Sequence, residues 1–197
     1  MKIYDISQEL FSCVVFPGDP SPKREVLSSM EEGALYNLTA LSLCAHNGTH
    51  VDAPYHFIKG GKTVEQIPLE KTVGWAYGTH EEGIVLAEDA NRILTKARGA
   101  HPDSAKRILI GGKATVSEEA ARVFAEAKID LVGNESQTVG PEDAPMQVHL
   151  ILLGAEVVLL EGIRLDGIPE GVYLLSAAPI SLAGSDGAPC RAILIAL

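Results

Sequence analysis

At 197 residues, 46% of them hydrophobic, the chain has material for one packed core. Its net charge of −10 excludes the electrostatic footprint of a nucleic-acid binder, and no apolar run is long enough to cross a bilayer. No basic-then-apolar leader opens the chain, and Cys13, Cys44 and Cys190 are odd in number and widely spread, so a disulfide framework is excluded and a cytoplasmic setting is expected.

Residues 2–6 alternate and predict a short first strand. Phe16-Pro17-Gly18-Asp19-Pro20-Ser21-Pro22 is a turn cluster closed to helix. Such a rigid loop either walls a pocket, with Phe16 as its apolar ring surface, or is a plain turn with Phe16 packed in the core. Residues 35–45 alternate, with Leu35, Asn37, Thr39, Leu41 and Leu43 on one face, and predict the strand that delivers the next segment.

That segment, residues 46–57, holds three of the six histidines and a carboxylate, and His46, His50, Asp52 and His56 all fall on even positions. In an extended backbone they face one side, where imidazoles and a carboxylate are the ligands that zinc and similar divalent metals prefer. The competing reading is a set of loop histidines hydrogen-bonded to backbone carbonyls. Cys44 shares the parity of His46 and is either a thiolate ligand or a buried free thiol.

Residues 59–62 form a turn, and residues 64–69 a short connection ended by Pro68. Neither Gly-Gly-Lys, at 60–62 or 111–113, has the spacing of a phosphate loop. After Gly83 strands alternate with helices: a strand at 84–87, a helix at 89–97, a strand at 107–110, and a helix capped by Ser117 running to about 128. A strand at 129–132, a helix at 146–153 stopped by Gly154, and a strand at 157–160 closing on Glu161 follow, with last strands at 172–177 and 192–197. The expected fold class is α/β, a single compact domain over residues 1–197 with a mixed β-sheet flanked by helices, meander-like at first.

A second half-site follows from this order. A short turn joins the helix at 146–153 to the strand at 157–160, so the helix start and the strand exit lie at the same end. His149 and Glu161 are therefore expected near each other, at the carboxyl ends of strands where ligands bind in such sheets. His149 alone could equally be a semi-buried helix residue. A carboxylate directly after Val-Val-Leu-Leu needs a partner, and a metal is a good one. His80 and His101 stand alone and are expected at the surface.

The block His46-x-Gly48-Thr49-His50-x-Asp52-x-Pro54-x-His56-Phe57 resembles the signature of the cyclase family of metal-dependent hydrolases, which includes bacterial kynurenine formamidases and isatin hydrolases. Phe16-Pro-Gly-Asp is similar to that family's Trp-Pro-Gly-Asp loop. The Gly61–Leu69 stretch, the His149 and Glu161 spacing and the closing Gly187-Ala-Pro-x-Arg191-Ala extend the likeness along nearly the whole chain. The resemblance implies a swivelling β/β/α domain, assembled as a homodimer or homotetramer, with active sites close to a subunit interface.

It further implies a binuclear zinc or manganese site. His46, His50 and Asp52 would hold one metal, Asp52 would bridge to a second, His149 would bind that second metal and Glu161 would touch both. His56 would be the general acid/base rather than a ligand. A metal-bound hydroxide attacking the carbonyl carbon of a small amide, formamide or lactam agrees with this donor set, with an acid and an amine as products. Phe16 stands where kynurenine formamidases carry Trp, Leu150 follows His149 where relatives often have a second His, and Glu135 stands where an Asp is common. Phe16 lacks an indole N–H able to hold a substrate carbonyl, so a small aryl amide is the expected substrate, with N-formylkynurenine of tryptophan catabolism as the narrower alternative. A non-catalytic metal or small-molecule binding module is the alternative of another class, and His56 would be superfluous in it.

Overall fold

The computed structural model describes residues 1–197. The first strand, β1 (Lys2–Asp5), is followed by β2 (Lys23–Ser28), β3 (Leu38–Ser42), β4 (His50–Asp52), β5 (Val73–His80) and β6 (Gly83–Val85). Helix α1 (Ala87–Ala100) leads to β7 (Arg107–Gly111) and β8 (Ala114–Val116), and α2 (Glu118–Glu126) to β9 (Leu131–Asn134). Helix α3 (Met146–Gly154) precedes β10 (Val158–Glu161), β11 (Gly171–Ser176), β12 (Gly187–Pro189) and β13 (Ile193–Ala196).

Nine strands form one mixed sheet in the order β1-β13-β11-β5-β7-β9-β10-β4-β12. The centre, β5-β7-β9-β10, is parallel, and antiparallel strands extend it on both sides. Both faces of the centre are covered, which is why β7, β9 and β10 read as unbroken apolar runs. Alternation sorts them: Ile108, Ile110, Val132 and Leu159 pack against the helices, and Leu109, Leu131, Val158 and Leu160 pack on the opposite face. This is a single compact domain with a mixed sheet flanked by helices.

Helix α1 buries Ala90, Ile93, Leu94 and Ala97, an i, i+3, i+4, i+7 stripe. Ser117 caps α2 by accepting the Ala120 amide at 3.2 Å, as its sequence predicts. Helix α3 is apolar nearly all round and buries Val148, His149, Leu152 and Leu153. The chain leaves α3 at Ala155, with the left-handed turn at Glu156 (φ 59°), so the stop falls just past Gly154.

The structure departs from the expected elements at its start. The strand at 35–45 is the shorter β3, which pairs only with β2 in a separate ribbon and is largely exposed, so there is no meander at the start of the main sheet. The structure adds β2, β5, β8 and β12. Strand β5 runs through the middle of the sheet, but Gly74 and Gly78 interrupt its alternation and hide it from a periodicity argument. Strand β12 is three residues long and ends in a proline, a composition that reads as a loop.

Candidate metal centre and catalytic site

The histidine segment is not one extended strand. Only His50 and Asp52 share β4; His46 lies in a turn before it and His56 in a helical turn, Pro54–His56, after it. Asn47 makes the first turn, accepting the Cys44 amide at 2.8 Å and donating to the Pro20 carbonyl at 3.1 Å. Pro54 starts the second, at the helix position where its missing N–H costs nothing. The four side chains converge for a reason other than parity.

In the sheet, Asp52 pairs with Leu159 and Val51 with Leu160. Val51 and Leu160 enter the core on the face away from the helices, so His50, Asp52 and Glu161 project toward α3. There, His149 is buried in the first half of that helix. Beyond Glu161, Gly162 turns the chain at φ +69°, where an added Cβ would lie 2.5 Å from the Gly48 carbonyl oxygen.

His46 Nδ1 lies 2.9 Å from Asp52 Oδ1, and His50 Nε2 lies 3.4 Å from Asp52 Oδ1 and 3.4 Å from Glu161 Oε2. His149 Nε2 lies 3.2 Å from Glu161 Oε1 and 3.6 Å from Asp52 Oδ2. Two adjoining donor sets share Asp52, one of His46, His50 and Asp52 and one of Asp52, His149 and Glu161, and a third group, His46, His56 and Asp186, adjoins them through His46. The second nitrogen of each ring is occupied: His50 Nδ1 by the Gly48 carbonyl at 3.0 Å, His149 Nδ1 by the Pro145 carbonyl at 2.9 Å, and His46 Nε2 by Asp186 at 2.9 Å. Each ring thus turns its remaining nitrogen inward, the arrangement that orients metal-binding histidines. The Val139 amide donates to Glu161 Oε1 at 2.7 Å and holds that carboxylate in place.

Buried polar atoms are rarely left without a partner, yet His50 Nε2 and Asp52 Oδ2 have no hydrogen bond and point into this cluster. Imidazole nitrogens and carboxylate oxygens crowded together, with two of them orphaned, fit a divalent cation. Burial disfavours the imidazolium forms, but the facing carboxylates outweigh it: Asp52 and Asp186 hold His46 up at about 9, Asp52 and Glu161 hold His50 at about 10, and Glu161 and Asp52 hold His149 at about 9. Burial likewise resists ionisation of Asp52, and His46 and His50 reverse it, keeping its carboxyl well below the usual range.

His56 lies outside the two sets that share Asp52 and belongs to the third group, with His46 and Asp186. Its ring lies 4.1 Å from that of His46, centroid to centroid, and its Nδ1 is 3.2 Å from Asp186 Oδ2. A cavity of about 250 Å³ opens over the cluster, lined by His46, His50, His56, His149 and Glu161 together with Phe16, Phe57, Pro145, Asp19, Gln137 and Thr138. Phe16 is therefore in the pocket wall, one of the two readings its turn cluster allowed. The lining is mostly polar and ionisable, with the Phe16 and Phe57 rings as its apolar surfaces, a concave site with convergent polar groups that suits a small molecule.

Cys44 belongs to neither donor set, and its Sγ is 4.0 Å from Asp19 Oδ2. Glu135 points away, accepting the Gly112 and Leu165 amides. His80 is exposed and His101 half-buried, both remote from the cavity lining. Asp186, which contacts both His46 and His56, is a residue of this site that the sequence does not point to. It precedes Gly187-Ala-Pro in a Gly- and Ser-rich segment, where a carboxylate carries no local signal.

Residues 4–141 match the family described as "Putative cyclase". A kynurenine formamidase of Salinibacter ruber is 31% identical to the chain, over 98% of this chain and 97% of that protein. One from Bacillus anthracis is also 31% identical, with the same coverage of both. The structure of a potential metal-dependent hydrolase with cyclase activity superposes with a TM-score of 0.80 at 28% identity, covering 98% of this chain and 96% of that one. Isatin hydrolase A of Labrenzia aggregata shares the fold, with a TM-score of 0.80 at 22% identity over 98% of this chain and 93% of that one. Matched over most of its length by the family and over nearly all of it by these relatives, the chain belongs to the cyclase family.

Proposed function

We propose that the protein is a metal-dependent amidohydrolase that cleaves the C–N bond of a small aryl amide, formamide or lactam. The observation that carries this reading is the pair of orphaned buried atoms, His50 Nε2 and Asp52 Oδ2, beneath a cavity that also exposes His56. Two divalent metals, zinc or manganese, fit the two donor sets: His46, His50 and Asp52 for one, and His149 with the second oxygens of Asp52 and Glu161 for the other. When bound, such metals lower the pKa of water and polarise a substrate carbonyl.

The chain's own residues do the rest. Phe16 and Phe57 offer ring surfaces to an aryl group. His56, with Nδ1 on Asp186, keeps Nε2 free to take a proton from the attacking water and return it to the leaving nitrogen. The products are a carboxylic acid and an amine. The relatives' name, kynurenine formamidase, supports N-formylkynurenine as the narrower substrate. The Phe16 ring, which cannot donate a hydrogen bond, favours the broader class. A non-catalytic binding module has no use for an unsaturated histidine at the cavity edge.

The same reading includes a homodimer or homotetramer. Val26, Leu27, Leu38 and Leu41 on the β2–β3 ribbon are exposed and suit burial against a second copy. Three free thiols suit a cytoplasmic setting.

The test is hydrolysis of formyl-aryl amides, including N-formylkynurenine, and isatin-like lactams by zinc- and manganese-loaded protein. Turnover of at least one class is expected. Stoichiometric metal binding with no turnover of any class sinks the enzyme reading in favour of a binding module.

A further inference from the structure

Asp186 reaches the site from the far end of the chain and is pinned there by backbone bonds on every side. The Ala53 amide donates to its carbonyl at 2.9 Å, and Gly187 pairs with Asp52 in the β4–β12 ladder. One residue earlier, the Val64 amide donates to the Ser185 carbonyl at 2.9 Å, and Ser185 Oγ donates to the Gly187 carbonyl at 2.7 Å. These bonds fix the backbone at Asp186, so its carboxylate starts from a set position at the sheet edge.

From that position a single oxygen, Asp186 Oδ2, meets two rings: His46 Nε2 at 2.9 Å and His56 Nδ1 at 3.2 Å. A carboxylate oxygen has lone pairs for both, and a neutral imidazole has only one N–H to give. An N–H spent on Asp186 leaves the opposite nitrogen of each ring as the acceptor. For His46 that nitrogen is Nδ1, facing Asp52; for His56 it is Nε2. The His46 ring has little freedom to turn otherwise. It lies between the His56 ring, 4.1 Å away, and Gly187, where an added Cβ would sit 2.8 Å from its Cε1.

We propose that Asp186 is a positioning residue that fixes the tautomers of His46 and His56 together, through one oxygen, tying the metal-ligand ring to the proton-transfer ring. The proposal rests on reading His46 as a ligand and His56 as the acid/base. Its consequence is that neither histidine is prepared without the other. The same negative charge faces His56 when that ring takes up a proton, as the buried carboxylate does for the histidine of a hydrolase triad. The Asp186 side chain is 42% exposed, and exposed pairs contribute little to folding, so its loss should show in the two rings more than in stability.

The test compares wild type, Asp186→Ala and Asp186→Asn, each labelled with 15N at histidine and loaded with zinc. Two-bond 1H–15N spectra read the tautomer of each ring, and steady-state kinetics, metal content and thermal melting are measured on the same samples. Wild type is expected to show His46 protonated at Nε2 and His56 at Nδ1. In Asp186→Ala the His56 signals should move toward a tautomer mixture, with kcat lower by about 10–100-fold, KM little changed and the melting temperature nearly constant. Asp186→Asn retains an acceptor oxygen and should restore the Nδ1–H signature and part of kcat. Unchanged tautomers in Asp186→Ala overturn the proposal, as does a loss of melting temperature with kcat retained. Absence of turnover in wild type would instead count against the hydrolase reading, and the ring spectra would still decide the part played by Asp186.

Discussion

His149 Nε2 lies 3.2 Å from Glu161 Oε1, and both side chains are buried in the face of the sheet that α3 covers. Glu161 turns its other oxygen to His50 Nε2 at 3.4 Å, so one carboxylate joins the two donor sets. Glu161→Gln keeps the size and removes the charge that both sets share. Wild type is expected to carry two metals per chain and Glu161→Gln fewer, with activity lost in step; elemental analysis of desalted protein checks it. A variant with the full wild-type metal count would exclude Glu161 as a ligand.

His56 has no contact with the Asp52 or Glu161 carboxylates, and its ring is on the cavity wall. His56→Ala should therefore leave metal content unchanged while lowering kcat by about 10²–10⁴-fold, the usual worth of a general acid/base. Rates and metal content measured on one preparation separate this from a ligand role, in which both would fall together.

Metal uptake should release protons. In the metal-free protein His46, His50 and His149 are held at about 9, 10 and 9, so all three are protonated at neutral pH and must lose that proton to bind a cation. Affinity should climb as pH rises from neutrality through this range, with proton release visible to an indicator dye. The metal-free fold should show the opposite trend. Folded values above the unfolded 6.5 mean a stabilisation fully present below about 6.5 and lost as pH rises through about 9 to 10. Asp52, shifted down, adds stability above its ordinary value that is lost as pH falls below it. Urea unfolding of chelator-treated protein across this range checks the sign: stability that increases toward pH 10 would contradict it.

Gly187→Ala places a methyl group 2.8 Å from His46 Cε1 and 2.8 Å from the Val51 carbonyl. The backbone cannot retreat without opening the β4–β12 ladder, so the His46 ring must move. Metal affinity and kcat should fall by about 10–100-fold. Gly99→Ala is the control, since Gly99 lies in α1 with open space around it, and the change should stabilise by about 0.5–1 kcal/mol with activity intact. Equal effects of the two substitutions on metal binding would refute the steric argument.

Much of the site was legible because its residue types are uncommon together. His46, His50, Asp52 and His56 within eleven positions, and Glu161 closing an apolar run, point to a cation whatever the backbone does. Their convergence nonetheless does not come from parity alone. Parity holds for His50 and Asp52, while His46 and His56 arrive through turns made by Asn47 and Pro54. His149 and Glu161 were placed correctly beside each other because a helix, a short turn and a strand leave little choice of geometry. Phe16 could not be assigned from its own segment, since a proline-rich turn looks the same whether it walls a pocket or fills a core.

By itself the sequence determined the donor types, the order of strands and helices after Gly83 and the membership of the family, all of which depend on local pattern. Only the tertiary structure decided which strands are neighbours, that β5 runs through the sheet, and that the β2–β3 ribbon stands outside it. It alone brought in Asp186, because the pairing of β12 with β4 joins segments more than a hundred residues apart, and no local periodicity records a contact between them.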